Sequence, residues 1–506
     1  MNSPLAIIGN GRAIDRALVP ELPLDEFQQT ILNGVEHGQR VVQLFGSLDL
    51  EVVQLYLVLA DDRQSTLRLA RTRLSGDSFP SLTPRCTQVH LFEREIAEQF
   101  GIRAEGHPWF KPVRFHRSFR PGHDAWNRPD NQPIVAGVMD FYRVDGEQVH
   151  EVAVGPVHAG VIEPGHFRFQ CDGEDVLHLE ISLGYQHRGV ERAMIGGPNA
   201  RSIHYAETLA GDTTIGHAMA YCQVFEALAH CQKTPRAQTL RGIALELERL
   251  ANHVGDLGAL AGDVGFLPTP SFCGRIRGDF LNMTASLCGN RFGRGMIRPG
   301  GVGFDLDTTI VPDLLKRLDT AERDCKSAID LLWNAQSVMA RFEDIGRVSQ
   351  EVAMELGLVG PAARACGLQR DVRNDHPSGI FRFVQIPVST WESGDVFARA
   401  YLRWLEMQHS IHFINEQLRA LPAGDVRSDV NPVAPSQIAI SLIEGWRGEL
   451  CHLALTDAAG KFERYKIVDP SFHNWAGLAL AMRNQQISDF PLCNKSFNLS
   501  YCGHDL

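Results

Sequence analysis

Residues 393–419 read SGDVFARAYLRWLEMQHSIHFINEQLR, and this stretch gives the strongest indication of the fold. Its apolar side chains recur every three or four residues over about six turns, which is the spacing of one buried helix face. They are Phe397, Tyr401, Trp404, Met407, Ile411, Ile414 and Leu418. The Ser393-Gly394-Asp395 segment before them is typical of a helix N-cap. The pattern predicts a long helix with one apolar face.

Two more segments show helical spacing of apolar residues and predict further long helices. The first contains Leu247, Leu250, Val254 and Leu257, and the second contains Leu314, Leu318, Ala321, Cys325 and Leu332. Long helices that each have one apolar face pack together as a bundle. We therefore predict that residues 146–506 form a large, mainly helical domain that begins with short β elements.

Residues 1–120 have a different pattern. Apolar residues at helical spacing between 27 and 35 are followed by a β-rich run at 52–59 and a second candidate strand at 66–71. This order predicts a hairpin within a small α+β domain. Residues 121–145 should be a linker, because the stretch PGHDAWNRPDNQP at 121–133 is rich in Pro, Gly, Asn and Asp. The fold class predicted for the whole chain is α+β.

The composition excludes several classes of protein. The 506 residues carry a formal net charge of −11, which argues against nucleic-acid binding because that function needs a basic face. No apolar run approaches the roughly 20 residues of a membrane span, and the N-terminal sequence lacks the pattern of a signal peptide. The 11 cysteines include no Cys-x-x-Cys pair and are expected to be buried fillers. We expect a peripheral protein on the cytoplasmic face of a membrane, held there by partners.

Several motifs resemble known families. EREIAEQFGI at 93–102, followed by GHP at 106–108, resembles the signature of the 30-kDa-type subunit of respiratory complex I, with Gln99 replacing the usual apolar residue. GPVHAGVIEPGHFRF at 155–169 resembles the opening of group 4 nickel–iron hydrogenase large subunits. LGYQHRGVE at 183–191, SGDVFAR at 393–399 and DPSFHNW at 469–475 resemble segments of those subunits and of the 49-kDa-type subunit of complex I. The motifs follow the family's order.

The resemblance implies a fusion of a 30-kDa-like domain with a hydrogenase large subunit or 49-kDa-like domain. The function implied is that of a peripheral-arm subunit in a membrane-bound, ion-translocating oxidoreductase. Its expected partners are a small iron–sulfur subunit and membrane ion-translocating subunits. The iron–sulfur cluster would belong to the partner, and no cofactor is expected in this chain. The sequence names neither the electron donor and acceptor nor the pumped ion, and any use of NAD(H) would come through a partner.

Active hydrogenases of this family hold nickel and iron with two Cys-x-x-Cys pairs. Anchored on His217, the first pair aligns with Ala210 and Thr213, and the second pair aligns best with Leu492 and Lys495. A nickel–iron centre needs four thiolate ligands, because soft sulfur donors hold these metals. The resemblance therefore implies a member of the family without the metal site, and nickel is not expected.

Four residues are candidates for the altered pocket. Glu163 matches a glutamate associated with proton handling in hydrogenases, and His187 matches the histidine that approaches the quinone headgroup in complex I. The tyrosine that partners this histidine aligns with Gly211 here. His217 ends the first cysteine motif, and Arg447 resembles the arginine that overhangs the hydrogenase site, where it could bind a carboxylate such as Glu163. Purely structural roles for Glu163 and His187 remain open.

Charged residues share the helix of the 247–257 stripe: Glu246, Glu248, Arg249, His253 and Asp256. In related complexes such charges help to couple redox change to ion movement. The simpler interpretation, which we favour here, is a solvated helix face with Glu–Arg pairs.

Alternatives to the leading function also stay open. One is a quinone-reducing subunit of complex I type, with quinone as the partner molecule. Another is a non-catalytic scaffold that couples an iron–sulfur subunit to the membrane arm. A functional hydrogenase is the least expected.

Overall fold

The computed structural model describes residues 5–129, 131–158 and 162–506. Residues 159–161 of the 155–169 motif lie outside this range, as do residues 1–4 and residue 130. Within the described residues, no helix combines the length and the apolar character that are needed to cross a membrane.

The N-terminal part is built on an antiparallel sheet with two helices. Its strands are β1 (Ala6–Ile8), β2 (Arg12–Asp15), β3 (Arg40–Asp49), β4 (Val52–Asp61), β5 (Thr66–Arg73), β6 (Ser78–Pro80) and β7 (Arg103–Glu105), and its helices are α1 (Leu24–Glu36) and α2 (His90–Phe100). The main sheet has the order β1-β5-β4-β3, and β6 and β7 form a parallel pair. The predicted hairpin is β4–β5, with Asp61 opposite Thr66.

The second part begins with β strands and continues as a helical bundle. Its strands are β8 (Val149–Val154), β9 (His166–Asp172), β10 (Asp175–Ser182), β11 (Ile297–Arg298), β12 (Gly301–Val302), β13 (Gln437–Gly445), β14 (Gly448–Thr456) and β15 (Phe462–Val468). Its longer helices are α5 (Thr214–Leu228), α6 (Pro235–Asp263), α7 (Pro268–Cys288), α8 (Val311–Trp333), α13 (Val396–Arg419) and α14 (Pro470–Ala481). Its shorter helices are α3 (Val190–Met194), α4 (Ser202–Glu207), α9 (Gln336–Phe342), α10 (Gln350–Leu356), α11 (Gly360–Arg364), α12 (Val372–Asp375), α15 (Phe490–Phe497) and α16 (Tyr501–Asp505).

The three predicted long helices are α6, α8 and α13. Helix α13 begins after Asp395, whose carboxylate accepts a hydrogen bond from the N–H of Ala398 at 2.8 Å, as the N-cap signal predicted. Helix α6 packs against α7 and α13, and their apolar stripes meet in one core. The α+β fold class is confirmed.

The two parts of the chain share a core. Strand β2 lies at the edge of the C-terminal sheet, whose order is β15-β14-β13-β2, with Ile14 opposite Ile438. Side chains of the N-terminal sheet, such as Leu57, pack in one apolar cluster with Leu442 and Leu453 of the C-terminal sheet. The division near residue 120 therefore marks a change of architecture within one packed body. Among the described residues of 121–145, no helix or strand is present.

Buried ion pairs cross the seam between the parts. Lys466 lies 2.8 Å from a carboxylate oxygen of Glu95 and 2.8 Å from one of Glu191. Gln99 accepts a hydrogen bond from Arg464 at 2.6 Å and donates one to Glu191 at 3.1 Å. An apolar residue at position 99 could make neither bond. The departure of Gln99 from the family motif is thus explained by a polar bridge between the two parts.

Candidate functional site

The site is built on the turn that precedes α5. The N–H of Thr213 donates to the carbonyl of Ala210 at 3.0 Å, and both residues are buried. Ala210 presents a methyl group and Thr213 a hydroxyl where hydrogenases of the family have thiolates. In the described part of the chain, no three His, Cys, Asp or Glu side chains are grouped as metal ligands.

Arg447 reaches this turn from the hairpin between β13 and β14. Its two terminal nitrogens each lie 2.7 Å from one carboxylate oxygen of Asp212, so the ion pair is bidentate. The Nε–H of Arg447 donates to the carbonyl of Asn498 at 2.5 Å. Burial would raise the pKa of Asp212, but the charge and hydrogen bonds of Arg447 outweigh it, and the pKa is lowered. The carboxylate that Arg447 binds is therefore Asp212, in place of the Glu163 that the sequence suggested.

The backbone of Asp212 is also fixed. Its carbonyl accepts hydrogen bonds from the indole N–H of Trp446 and from the amide of Asn252, each at 2.9 Å. The guanidinium of Arg447 lies 3.9 Å from the ring centroid of Trp446, within cation–π range. Trp446 thus orients both members of the ion pair.

His217 belongs to a buried chain of hydrogen bonds. Its Nε2 lies 3.2 Å from Asp469, its Nδ1 lies 3.1 Å from Nε2 of His452, and Nδ1 of His452 lies 2.9 Å from the Tyr465 hydroxyl. A carboxylate can only accept, so Nε2 of His217 donates to Asp469. A neutral His217 then accepts from His452, which accepts from Tyr465. The four side chains thus form one continuous, fully buried chain of hydrogen bonds.

The segment 498–503 faces the 209–213 turn. One terminal nitrogen of Arg188 donates to the carbonyls of Leu209 and Cys502, at 2.8 and 3.0 Å. Within this segment, the hydroxyl of Ser500 accepts from the N–H of Gly503 at 2.9 Å and caps α16. Ser500 and Gly503 stand at Cys-x-x-Cys spacing, and they lie opposite the turn that contains the first motif.

Leu492 and Lys495 lie elsewhere, on α15. Leu492 is part of the bundle core, and the half-buried Lys495 lies near Asp263 at the end of α6. Asn252 binds the backbone of Asp212 and therefore marks the position of the first motif along α6. Asp263 lies about 16 Å farther along the helix axis, because an α-helix rises 1.5 Å per residue. The structure therefore places Leu492 and Lys495 away from the first motif, and the segment that contains Ser500 and Gly503 faces that motif instead.

His187 and Glu163 both lie beside the C-terminal segment. Nδ1 of His187 is 2.7 Å from the carbonyl of Asp505, and its ring stacks on His116 at 4.7 Å. Burial lowers the pKa of His187 below its ordinary value. Glu163 neighbours Cys502, whose thiol pKa is raised to about 12 by burial and by this carboxylate. In the described part of the chain, no hydrogen bond or ion pair joins any two of the four predicted pocket residues.

Glu246, Arg249, His253 and Asp256 are buried and Glu248 is half-buried, so the predicted solvation of this helix face is wrong, although the predicted Glu–Arg pairing is present. Glu246, Arg249 and His253 have no exposed surface. Nε2 of His253 lies 2.9 Å from Glu406, and Arg249 lies 3.0 Å from Glu246 and donates to the carbonyl of Glu444 at 2.7 Å. A sealed ionic network therefore lies under the hairpin that carries Arg447.

Sequence reasoning missed Asp212, His452 and the role of Asp469. Asp469 lies within the 469–475 motif, and Asp212 lies between the two aligned cysteine positions, so position alone could have singled them out. His452 offers no such signal, because its alternating strand context is that of any core residue.

Comparison with known proteins agrees with this architecture. Residues 29–128 match the family of the respiratory-chain NADH dehydrogenase 30 Kd subunit, and residues 263–438 match the family of its 49 Kd subunit. The carbon monoxide-induced hydrogenase of Rhodospirillum rubrum is 32% identical over 350 residues, which cover 69% of this chain and 97% of the relative.

Two further relatives are similar to this chain over most of its length. Formate hydrogenlyase subunit 5 of Escherichia coli (strain K12) is 28% identical over 439 residues, covering 84% of this chain and 76% of the relative. NADH-quinone oxidoreductase subunit 4 of Thermus thermophilus is 31% identical over 370 residues, which cover 68% of this chain and 90% of the relative. The predicted fusion is confirmed, and several relatives are named as subunits, which implies partner subunits here. This chain therefore belongs to the family of complex I-related oxidoreductase subunits, with a 30 Kd-type domain fused to a 49 Kd-type, hydrogenase-like domain.

Proposed function

We propose that this chain is a peripheral-arm subunit of a membrane-bound, ion-translocating oxidoreductase in which a metal-free polar pocket replaces the nickel–iron site. The observation that carries the proposal is the bidentate Arg447–Asp212 ion pair at the turn of Ala210 and Thr213. A nickel–iron centre needs four thiolates, and the residues at the turn and the segment facing it supply one thiol, that of Cys502. The residues do not fit the metal centre.

The pocket retains groups that can handle protons. The Asp469–His217–His452–Tyr465 chain supplies a continuous hydrogen-bonded path that leads from the pocket through two imidazoles, which is the geometry that a proton relay requires. Electrons would come from an iron–sulfur cluster in a small partner subunit, and a change of charge at His217 would bias the buried network and the attached membrane subunits. The chain itself would hold no cofactor.

Nickel content tests the missing metal site. The complex is isolated intact from its host, and nickel per chain is measured by elemental mass spectrometry beside a nickel-containing hydrogenase as positive control. We expect nickel at background. Nickel near one atom per chain would contradict the proposal and would require ligands other than the family's cysteines.

Variants separate an active pocket from a scaffold. We expect the double variant Asp212→Asn, His217→Gln to lower turnover of the intact complex while partner subunits still copurify. Unchanged turnover with normal assembly would favour the scaffold. If the rate of quinone reduction falls in His187→Ala while the double variant stays active, the result would favour the quinone-reducing alternative.

A further inference from the structure

A separate cavity lies at the seam between the two parts of the chain. It has a volume of about 170 Å³ and is enclosed by α2, the segment 109–115, β10 and α14. Polar or aromatic residues in its wall include His90, Arg94, Trp109, His178, Ser182, Trp475, His504 and one carboxylate, that of Glu180. An apolar cavity of about 150 Å³ holds benzene, so this one can hold a molecule of similar size. Its position and residues are independent of the proposed metal-free pocket.

Arg94 brings an uncompensated positive charge to the cavity. Its Nε–H and one terminal N–H donate to the carbonyls of Lys111 and Pro112 at 2.8 and 2.9 Å. Among the described residues, no carboxylate lies within ion-pair distance of this guanidinium. Burial accordingly lowers the pKa of Arg94 to about 10, although Glu98 and Glu180 partly oppose the effect. Arg94 is partly buried, and a guanidinium that is shielded from part of the solvent without a paired anion is unfavourable, a cost that an anionic ligand would relieve.

The two nearest carboxylates are engaged by other donors. Glu98 accepts backbone N–H bonds from Arg114 at 2.8 Å and from Phe115 at 2.6 Å. Glu180 is paired with Lys111 at 2.6 Å and accepts the N–H of Tyr142 at 2.8 Å. Neither carboxylate is available to Arg94 as a counter-ion.

Other groups in the wall also lack acceptors. In the described part of the chain, no hydrogen bond is formed by the ring of His90, and burial lowers its pKa to about 3, so the imidazole is neutral. The indole nitrogen of Trp475 is buried without an acceptor. Buried donors in native proteins are normally satisfied, so the unpaired indole N–H of Trp475 points to a ligand that carries an acceptor.

We propose that this cavity binds a small organic carboxylate about the size of benzoate. The carboxylate accepts hydrogen bonds from Arg94 and His90, and the apolar part of the ligand contacts the wall formed by Phe115, Leu183 and Trp475. A bare inorganic anion would leave most of the apolar wall uncovered. The ligand class is therefore an organic monocarboxylate.

Benzoate is the probe for this site. It is titrated into the full-length chain, and binding is followed by calorimetry and by the fluorescence of Trp109 and Trp475, which line the cavity. Benzamide, which has the same shape and no charge, is the matched control. We expect benzoate to bind at least about tenfold more tightly, because a hydrogen bond to a charged group contributes about 1.5–3 kcal/mol.

Two variants locate the binding. Arg94→Gln is expected to weaken benzoate binding by about tenfold or more, whereas Arg103→Gln, at an exposed arginine, leaves it unchanged. Ala479→Leu fills the cavity from α14 without removing a charge and should also abolish binding. Thermal unfolding shows whether each variant is folded.

Four results would overturn the proposal. They are no benzoate binding at millimolar concentration, equal affinity for benzamide, benzoate affinity that is unaffected in the folded Ala479→Leu variant, or binding of phosphate in preference to benzoate. None of them would bear on the nickel measurement, so the two proposals stand or fall separately.

Discussion

Glu248 ties α6 to the first turn of α5, next to the altered pocket. Its carboxylate accepts the N–H groups of Ile215 and Gly216 at 2.7 and 3.1 Å. Both bonds favour the charged form, but burial outweighs them and raises the pKa of Glu248 from its ordinary 4.5 to about 8. This carboxyl group therefore gains a proton on folding over much of the neutral range.

The consequence is a pH-dependent stability. Because the folded state binds the proton more tightly, the contribution of Glu248 is fully present below about pH 4.5 and is lost as the pH rises to about 8. We expect Glu248→Gln to remove this slope, so that the variant gains stability relative to the parent between pH 6 and pH 8.5. Urea unfolding at the two pH values measures the difference. Glu322→Gln, at an exposed position, is the control, and an unchanged slope in Glu248→Gln would contradict the assignment.

At the level of residues, sequence motifs indicate some members of the site and miss their partners. His217 and Arg447 could be predicted because each lies in a family motif. Their partners are 252 and 235 residues away in sequence, at Asp469 and Asp212, and spacing carries no information over such separations. The second motif is harder to place than the first because, without its two cysteines, only the flanking Pro491 and Ser496 anchor the alignment.

At the level of elements, α6 shows what an apolar stripe cannot reveal. The stripe predicts one buried face correctly, but α6 contacts α7 and α13 and binds the backbone of β13, so its charged face is buried as well. A helix enclosed in this way must pair its charges internally, because an unpaired buried charge is strongly unfavourable. The sequence pattern of such a helix resembles that of a solvated one.

Glu406 on α13 tests the buried network. It accepts hydrogen bonds from Arg364 at 2.9 Å and His253 at 2.9 Å, and its side chain is 3% exposed. Glu406→Gln leaves buried guanidinium groups short of a counter-charge, and we expect a loss of about 3–5 kcal/mol in the free energy of unfolding.

Glu416→Gln on the same helix is the matched control. Its partner is the exposed His412, and such surface pairs contribute about 0–1 kcal/mol. Urea unfolding of both variants gives the comparison. Equal losses in the free energy of unfolding would show that the buried network contributes no more to stability than an exposed ion pair.

At the level of the whole molecule, the α+β class and the order of the two parts follow from periodicity and motifs. Their shared core does not, because nothing in the local pattern of residues 12–15 shows that β2 pairs with β13. In the sequence, Gln99 stands out only as a departure from the family motif. The reason for this departure is its hydrogen bonds with Arg464 and Glu191, which belong to the other part of the chain.

Gln99→Leu restores the family's usual character at this position and should weaken the seam. Arg464 and Glu191 would each lose a buried hydrogen bond, each costing about 1–3 kcal/mol. A protease site inserted between residues 121 and 145 allows the two parts to be separated after folding. We expect the cut parent to remain associated in size-exclusion chromatography and the cut Gln99→Leu chain to dissociate at lower urea concentration.

The comparison needs a control of the same substitution away from the seam. Gln29→Leu, at an exposed glutamine of α1, should behave as the parent. Dissociation of the cut Gln99→Leu chain at the same urea concentration as the parent would show that the bridge does not hold the parts together.

The pairing of strand β2 with β13 also determines when β2 can fold during synthesis of the chain. It leaves the ribosome before its partner β13, which follows more than 400 residues later in the chain. At about 5–20 residues per second, the strand waits roughly 20–80 s for that partner. During this interval its edge is open to wrong partners, and the sequence Arg12-Ala13-Ile14-Asp15, with charges at both ends, suits a strand that must stay unpaired until β13 has been synthesised.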